Sequence, residues 1–141
     1  MSELYNMEIL RLAAEIPYCE RLADPDISIT KTSRICGSKL TIDVNFNGQV
    51  ISDYGQEVRA CALGQASCSI VGRKIMGLTR ADFKPIAQAM TAMLVSGGPP
   101  MEGEWAELQI FLPAQEHKSR HGSILLPFLA VMAAFDQQHQ D

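Results

Sequence analysis

Three side chains in this sequence are of the types that thiol and soft-metal chemistry uses: Cys36, Cys61 and His121. A deprotonated cysteine is both nucleophile and ligand, and neutral imidazole binds zinc, copper and iron. Cys36 is followed by Gly37 in a connection ahead of a strand pattern, while Cys61 stands where an extended segment gives way to a helical one. A thiol at a helix N-terminus has its thiolate favoured by the helix dipole and the unpaired amides, so Cys61 has the setting of a nucleophile or ligand. His121 falls at the entrance of the last predicted helix. Two thiolates and one imidazole suit zinc or an iron–sulfur cluster. The intervals between them, 25 and 60 residues, match no local clip such as paired CxxC. Packing is the competing reading, because cysteine is among the most buried residue types and a single histidine is usually a surface or satisfied side chain.

The other cysteines read differently. Cys68 follows Cys61 by seven residues, about 10 Å along a helix axis, whereas two sulfurs on one zinc lie within about 4 Å of each other. Cys68 is therefore a core residue, and Cys19, in the turn Tyr18-Cys19-Glu20, is incidental. Met76, Met90, Met93 and Met132 fall on apolar helical faces and read as core. Glu102, Glu104 and Glu107 read as a solvated helix start. No GxSxG elbow, Walker A loop, HExxH helix or dinucleotide-binding glycine fingerprint is present.

The elements that must position Cys36, Cys61 and His121 follow from hydrophobic period. Leu4, Met7, Ile9, Leu10, Leu12 and Ile16 recur at helical spacing up to Pro17, which predicts a helix over 3–16. From Leu40 the period becomes two: Leu40, Ile42, Val44 and Phe46 face one way, and Thr41, Asp43 and Asn45 the other. Asn47-Gly48 predicts a tight turn into a partner strand over 49–54, and 27–35 is a third strand. A helix rich in small residues follows Cys61 and stops near Gly77. A second covers 82–95 with Pro85 in its first turn, a short amphipathic one around Trp105, Leu108 and Phe111 ends at Pro113, and the last begins near His121. The expected fold class is α+β, with helices packed on one face of a small three-stranded antiparallel sheet.

Composition limits the classes of function. With 141 residues the chain is expected to form a single domain, 1–141, and 47% apolar against 20% charged residues excludes disorder. A net charge of −4 gives no electrostatic footprint for nucleic acid or anionic lipid. The N-terminus lacks the pattern of a secretory signal, which predicts a cytoplasmic protein with free thiols. The longest apolar stretch, Ile124 to Phe135, is 12 residues, too short to span a bilayer and expected to be a core helix.

Cys36-Gly37-Ser38, the hairpin from Leu40 to Asp53, Cys61-Ala62-Leu63-Gly64-Gln65-Ala66-Ser67 and Arg120-His121-Gly122-Ser123-Ile124-Leu125 come in an order and at intervals that resemble the NifU-like (IscU/SufU type) iron–sulfur cluster assembly scaffold family. The resemblance runs over roughly residues 3 to 135. It implies a NifU/IscU-like fold and a non-enzymatic scaffold on which a transient 2Fe–2S cluster is built, from iron and from sulfur delivered by a cysteine desulfurase, then passed to recipient or carrier proteins. By resemblance Cys36, Cys61 and His121 are the metal and cluster ligands, with Cys61 the persulfide acceptor. Two positions depart from the family pattern. Gly122 stands at the third cysteine and Ser38 at the usual aspartate, so a fourth ligand is not evident. The family's proline-rich chaperone-recognition segment is echoed only in Leu112-Pro113-Ala114. Three arrangements answer the deficit: zinc or iron on two Cys and one His with an open position, a cluster shared across a homodimer, or thiol chemistry alone, with Cys61 activated by the helix terminus and by Arg59 or His121. A zinc-dependent, sulfurtransferase-like partner of a desulfurase and a metal-free interaction module on the same fold are the alternative functions.

Overall fold

The computed structural model describes residues 5–140. Helix α1 spans Met7–Ala14, β1 Ile27–Ser33, β2 Ser38–Asn47, β3 Val50–Arg59, α2 Ala62–Lys74 and α3 Arg80–Val95; a 3-10 segment over Gly103–Ala114 precedes α4, Lys118–Gln140. The strands form an antiparallel meander in the order β1-β2-β3. Leu40, Ile42 and Val44 share a face with Ile29 and Ile27 on one side and with Val58, Gln56 and Tyr54 on the other, and this face meets the helices. Helix α4 crosses β1 and β2 and α2 lies over β3, while α1 packs on α2 and α3 on α4. The result is the expected α+β arrangement. Phe83, Trp105, Phe128 and Phe135 interlock where α3, the 3-10 segment and α4 meet.

Local chemistry moves several predicted boundaries. The first helix begins after Asn6, whose side chain accepts from the Ile9 amide, and ends at Ala14; positions 3 and 4 lie outside the described residues. The third strand stops at Ser33 because the next four residues turn, with Gly37 at φ +70° and its N–H on the Ser33 carbonyl. β3 runs on to Arg59 through a bulge opposite Asn45 and Phe46. α3 starts at Arg80, since Thr79 and Asp82 form a reciprocal capping box. Pro85 therefore sits in the second turn. The segment around Trp105 is 3-10 rather than α-helical and carries Pro113 inside it, and α4 starts three residues ahead of His121. Met90 and Met93 are buried as expected and Met132 is partly buried, but Met76 lies exposed beyond the end of α2.

The outer face of β2 is the larger correction. Alternation implies a half-buried strand with this polar face outward, yet Thr41 and Asp43 are buried. Asp43 accepts from Arg21 at 2.7 and 3.1 Å, from the Leu22 amide at 2.9 Å and from Ser28 at 2.6 Å. Burial pushes the Asp43 carboxyl up, but the Arg21, Ser28 and Leu22 hydrogen bonds outweigh it and hold the group below its ordinary value. The connecting segment at 18–22 can lie this close because Asp43 pairs with Gly55, where any side chain would collide with the Glu20 carbonyl.

Candidate functional site

Cys36 occupies the third position of the β1–β2 turn, and Cys61 is the N-cap of α2. Both are half-buried and both thiols are free. They reach the same stretch of α4 from different sides. The Cys36 thiol donates to the Ser119 carbonyl (2.8 Å) and receives the Ser33 hydroxyl (3.5 Å). Cys61 Sγ lies 3.5 Å from Ser123 Oγ, which in turn is 3.0 Å from Ser38 Oγ. Ser33 and Ser38 are the closing pair of the hairpin, so the two thiols flank a layer of hydroxyls laid against the first turns of α4.

Two glycines make room for that layer. A Cβ on Gly64 would run into Ser123 Oγ, and one on Gly122 would come 2.5 Å from Ser33 Oγ. Small residues of α2 allow the close approach of α4, as the sequence suggested, and Ser67 also donates to the Ile124 carbonyl. Pro127, inside α4, has no N–H to give the Ser123 carbonyl.

Burial pushes the Cys61 thiol up, but the Ser123 hydroxyl, the N–H groups of Gly64 and Leu63 and the Arg120 guanidinium outweigh it and hold the thiol below its ordinary range. The expected activators were Arg59 and His121; the groups found are Ser123, the α2 amides and Arg120. Ser33 and Ser123 were not singled out from sequence as contacts of the thiols. The glycines that face them, Gly122 and Gly64, become their neighbours only in the fold.

His121 is buried in the same turn of α4, with Nε2 at 2.9 Å from the Ala114 carbonyl and 3.1 Å from the Gln115 carbonyl. Two carbonyl partners require a proton on Nε2, which leaves the lone pair on Nδ1. A ligating histidine commonly gives its other ring N–H to a carbonyl in this way. The three side chains are not gathered into a ligand set, however. Among the described residues no group of three or more His, Cys, Asp or Glu side chains is disposed to hold a metal ion. A closed structural zinc site takes four protein ligands, and these residues do not make one. Cys68 is sealed in the core, where burial pushes its thiol far up, and Cys19 is exposed with its thiol on the Ile16 carbonyl (3.3 Å).

A three-stranded meander covered on one face by helices, with a helix-capping thiol and a hairpin thiol at one end, defines a small α+β thiol protein. The chain belongs to the NifU-like family. The crystal structure of a nitrogen-fixing NifU-like protein (N-terminal) from Brucella abortus matches it with a TM-score of 0.95 and 37% identity, over 99% of this chain and 97% of that one. A protein from Fervidobacterium islandicum AW-1, assigned as an iron–sulfur cluster assembly scaffold for the SUF system, shares the fold with a TM-score of 0.83 at 19% identity, over 92% of this chain and 94% of that one. No protein-family model and no curated protein matches the sequence. Among the described residues no helix is long and apolar enough to cross a membrane.

Proposed function

We propose that this chain is a non-enzymatic carrier on which a transient 2Fe–2S cluster is assembled and from which it is handed to recipient or carrier proteins. One observation carries the reading: in a chain of the NifU-like family, Cys61 at the start of α2 and Cys36 in the hairpin flank the same turns of α4. Iron and sulfur are cargo here. Cys61 is the sulfur acceptor, its Sγ attacking the terminal sulfur of a persulfide presented by a cysteine desulfurase. A new S–S bond forms at Cys61, and the desulfurase thiolate leaves with the electrons of the bond that breaks. Ser123 and the α2 amides favour the charged sulfur before and after this step. Cys36 supplies the second anchor once its proton leaves the Ser119 carbonyl, and His121 offers Nδ1 as a third. A homodimer sharing the cluster would complete its coordination. The setting that suits four free thiols is the reducing cytoplasm, and the net charge of −4 argues against a nucleic-acid partner.

A second reading has its own support: because the described residues gather no three-ligand group, Cys61 would pass sulfur on without a cluster, with zinc or no metal beside it. Purification without oxygen, with assay of iron, zinc and acid-labile sulfide in wild type, Cys36→Ala, Cys61→Ala and His121→Ala, separates the two. Iron with sulfide, lost in both cysteine variants, is the expected result. Zinc alone, with one extra sulfur on Cys61 after incubation with desulfurase and cysteine, selects the sulfur-relay reading. A chain that takes up neither metal nor sulfur is a metal-free interaction module, and both readings fall.

A further inference from the structure

Ser33 and Ser38, the last pair of the β1–β2 hairpin, both face α4, one against Gly122 and the other against Ser123. At Gly122 a Cβ would stand 2.5 Å from Ser33 Oγ but 3.4 Å from Ser33 Cβ. The second distance is ordinary contact, so the hydroxyl oxygen alone obstructs a side chain. That oxygen is tethered, since it donates to Cys36 Sγ, whose own proton is given to Ser119 within the same helix (3.5 and 2.8 Å). Swinging Ser33 away would clear the space and lose the hold on Cys36. Gly122 thus faces the notch between hairpin and helix beside Cys36, and the serine hydroxyl fills it.

We propose that Ser33 is a specificity-determining residue: its hydroxyl, seated against Gly122, bars α4 from adding a third thiol at that position and holds the site to two thiols, leaving a coordination position open for exchange of cargo. The inference rests on the reading of Cys36 and Cys61 as a ligand pair, and an open position is what separates reactive from closed sites.

The test is a double-mutant cycle on the full, reduced chain, with cobalt(II) alone as the probe: wild type, Ser33→Ala, Gly122→Cys and Ser33→Ala/Gly122→Cys. The thiolate-to-cobalt charge-transfer band reads the number of thiolates bound. The double variant should bind cobalt(II) at least tenfold more tightly than the product of the two single effects, with a stronger band than wild type. Multiplicative effects, a full gain from Gly122→Cys alone, or a double variant no tighter than wild type would each overturn the role of Ser33. A metal-free arm covers misfolding of the cysteine variants. Gly122→Ala should lower the urea midpoint in wild type but raise it in the Ser33→Ala background, where the helix gains a better former; a rise in both backgrounds overturns the proposal. Wild type that binds no cobalt(II) beside a double variant that does would sink the carrier reading and support the Ser33 obstruction. Binding in wild type without coupling would do the reverse.

Discussion

Cys61 and Cys68 are seven residues apart on the same helix and are chemically opposite. Cys61 caps α2, where two amides, the Ser123 hydroxyl and Arg120 favour its charge over the cost of burial. Cys68 sits mid-helix among Tyr54, Gln56 and the chain around Pro17, with its thiol pushed far up by burial and by proximity to Cys19. Among the described residues no hydrogen bond or charge offsets that burial. The contrast teaches that reactivity follows from position in the helix, because the first turn has unpaired N–H groups and the middle turns have spent theirs on the backbone.

The comparison breaks first on alkylation. At neutral pH iodoacetamide should modify Cys61 faster than Cys68 by roughly three orders of magnitude, since the reaction needs the thiolate and Cys68 exposes one only when the helix opens; peptide mapping over time checks it, and comparable rates would refute the assignment. Stability should invert the order. Cys68→Ser buries a hydroxyl in an apolar site and should cost about 2 kcal/mol in urea unfolding, whereas Cys36→Ser, half-exposed in a turn, should stay within about 0.5 kcal/mol. Ser123→Ala removes the hydrogen bonds to Ser38 and to Cys61, each worth about 0.5–1.5 kcal/mol. Cys61 alkylation at neutral pH should then slow roughly two- to tenfold, and its rate profile should move to higher pH, because the thiol loses a group that lowers its pKa. The smallest effect belongs to Arg120→Gln, a through-space interaction. It should slow Cys61 by about twofold at low salt, and the difference should vanish as ionic strength shortens the Debye length.

Much of this was legible in the sequence. The alternation from Leu40 to Phe46 announces β2 and a hairpin after it, although the turn falls on Gly48 and Gln49, one residue later than Asn47-Gly48, because Asn47 still pairs with Val50; the small residues after Cys61 announce a helix meant for close packing. Cys68 declares itself as core by axial distance alone. Asp43 misleads, because alternation reports which residues share a face but not whether a loop later covers that face. Arg21, 22 positions earlier, has no local pattern that links it to Asp43. Pro85 misleads for a related reason: the Thr79/Asp82 box adds two residues to the start of α3 ahead of the apolar stripe.

Residue types and short-range spacing carry the identity of the thiols, the elements that bear them and the place of Cys61 at a helix start, since capping and period act within a few residues. The hydroxyl layer between the thiols depends on contacts across 62 to 85 residues of chain, Ser123 to Cys61 and Ser38 to Ser123, and the notch at Gly122 depends on the meeting of α4 with Ser33 of the hairpin. Those contacts exist because glycines let α2 and the hairpin close on α4, a matter of ångström-scale packing that no one-dimensional pattern encodes.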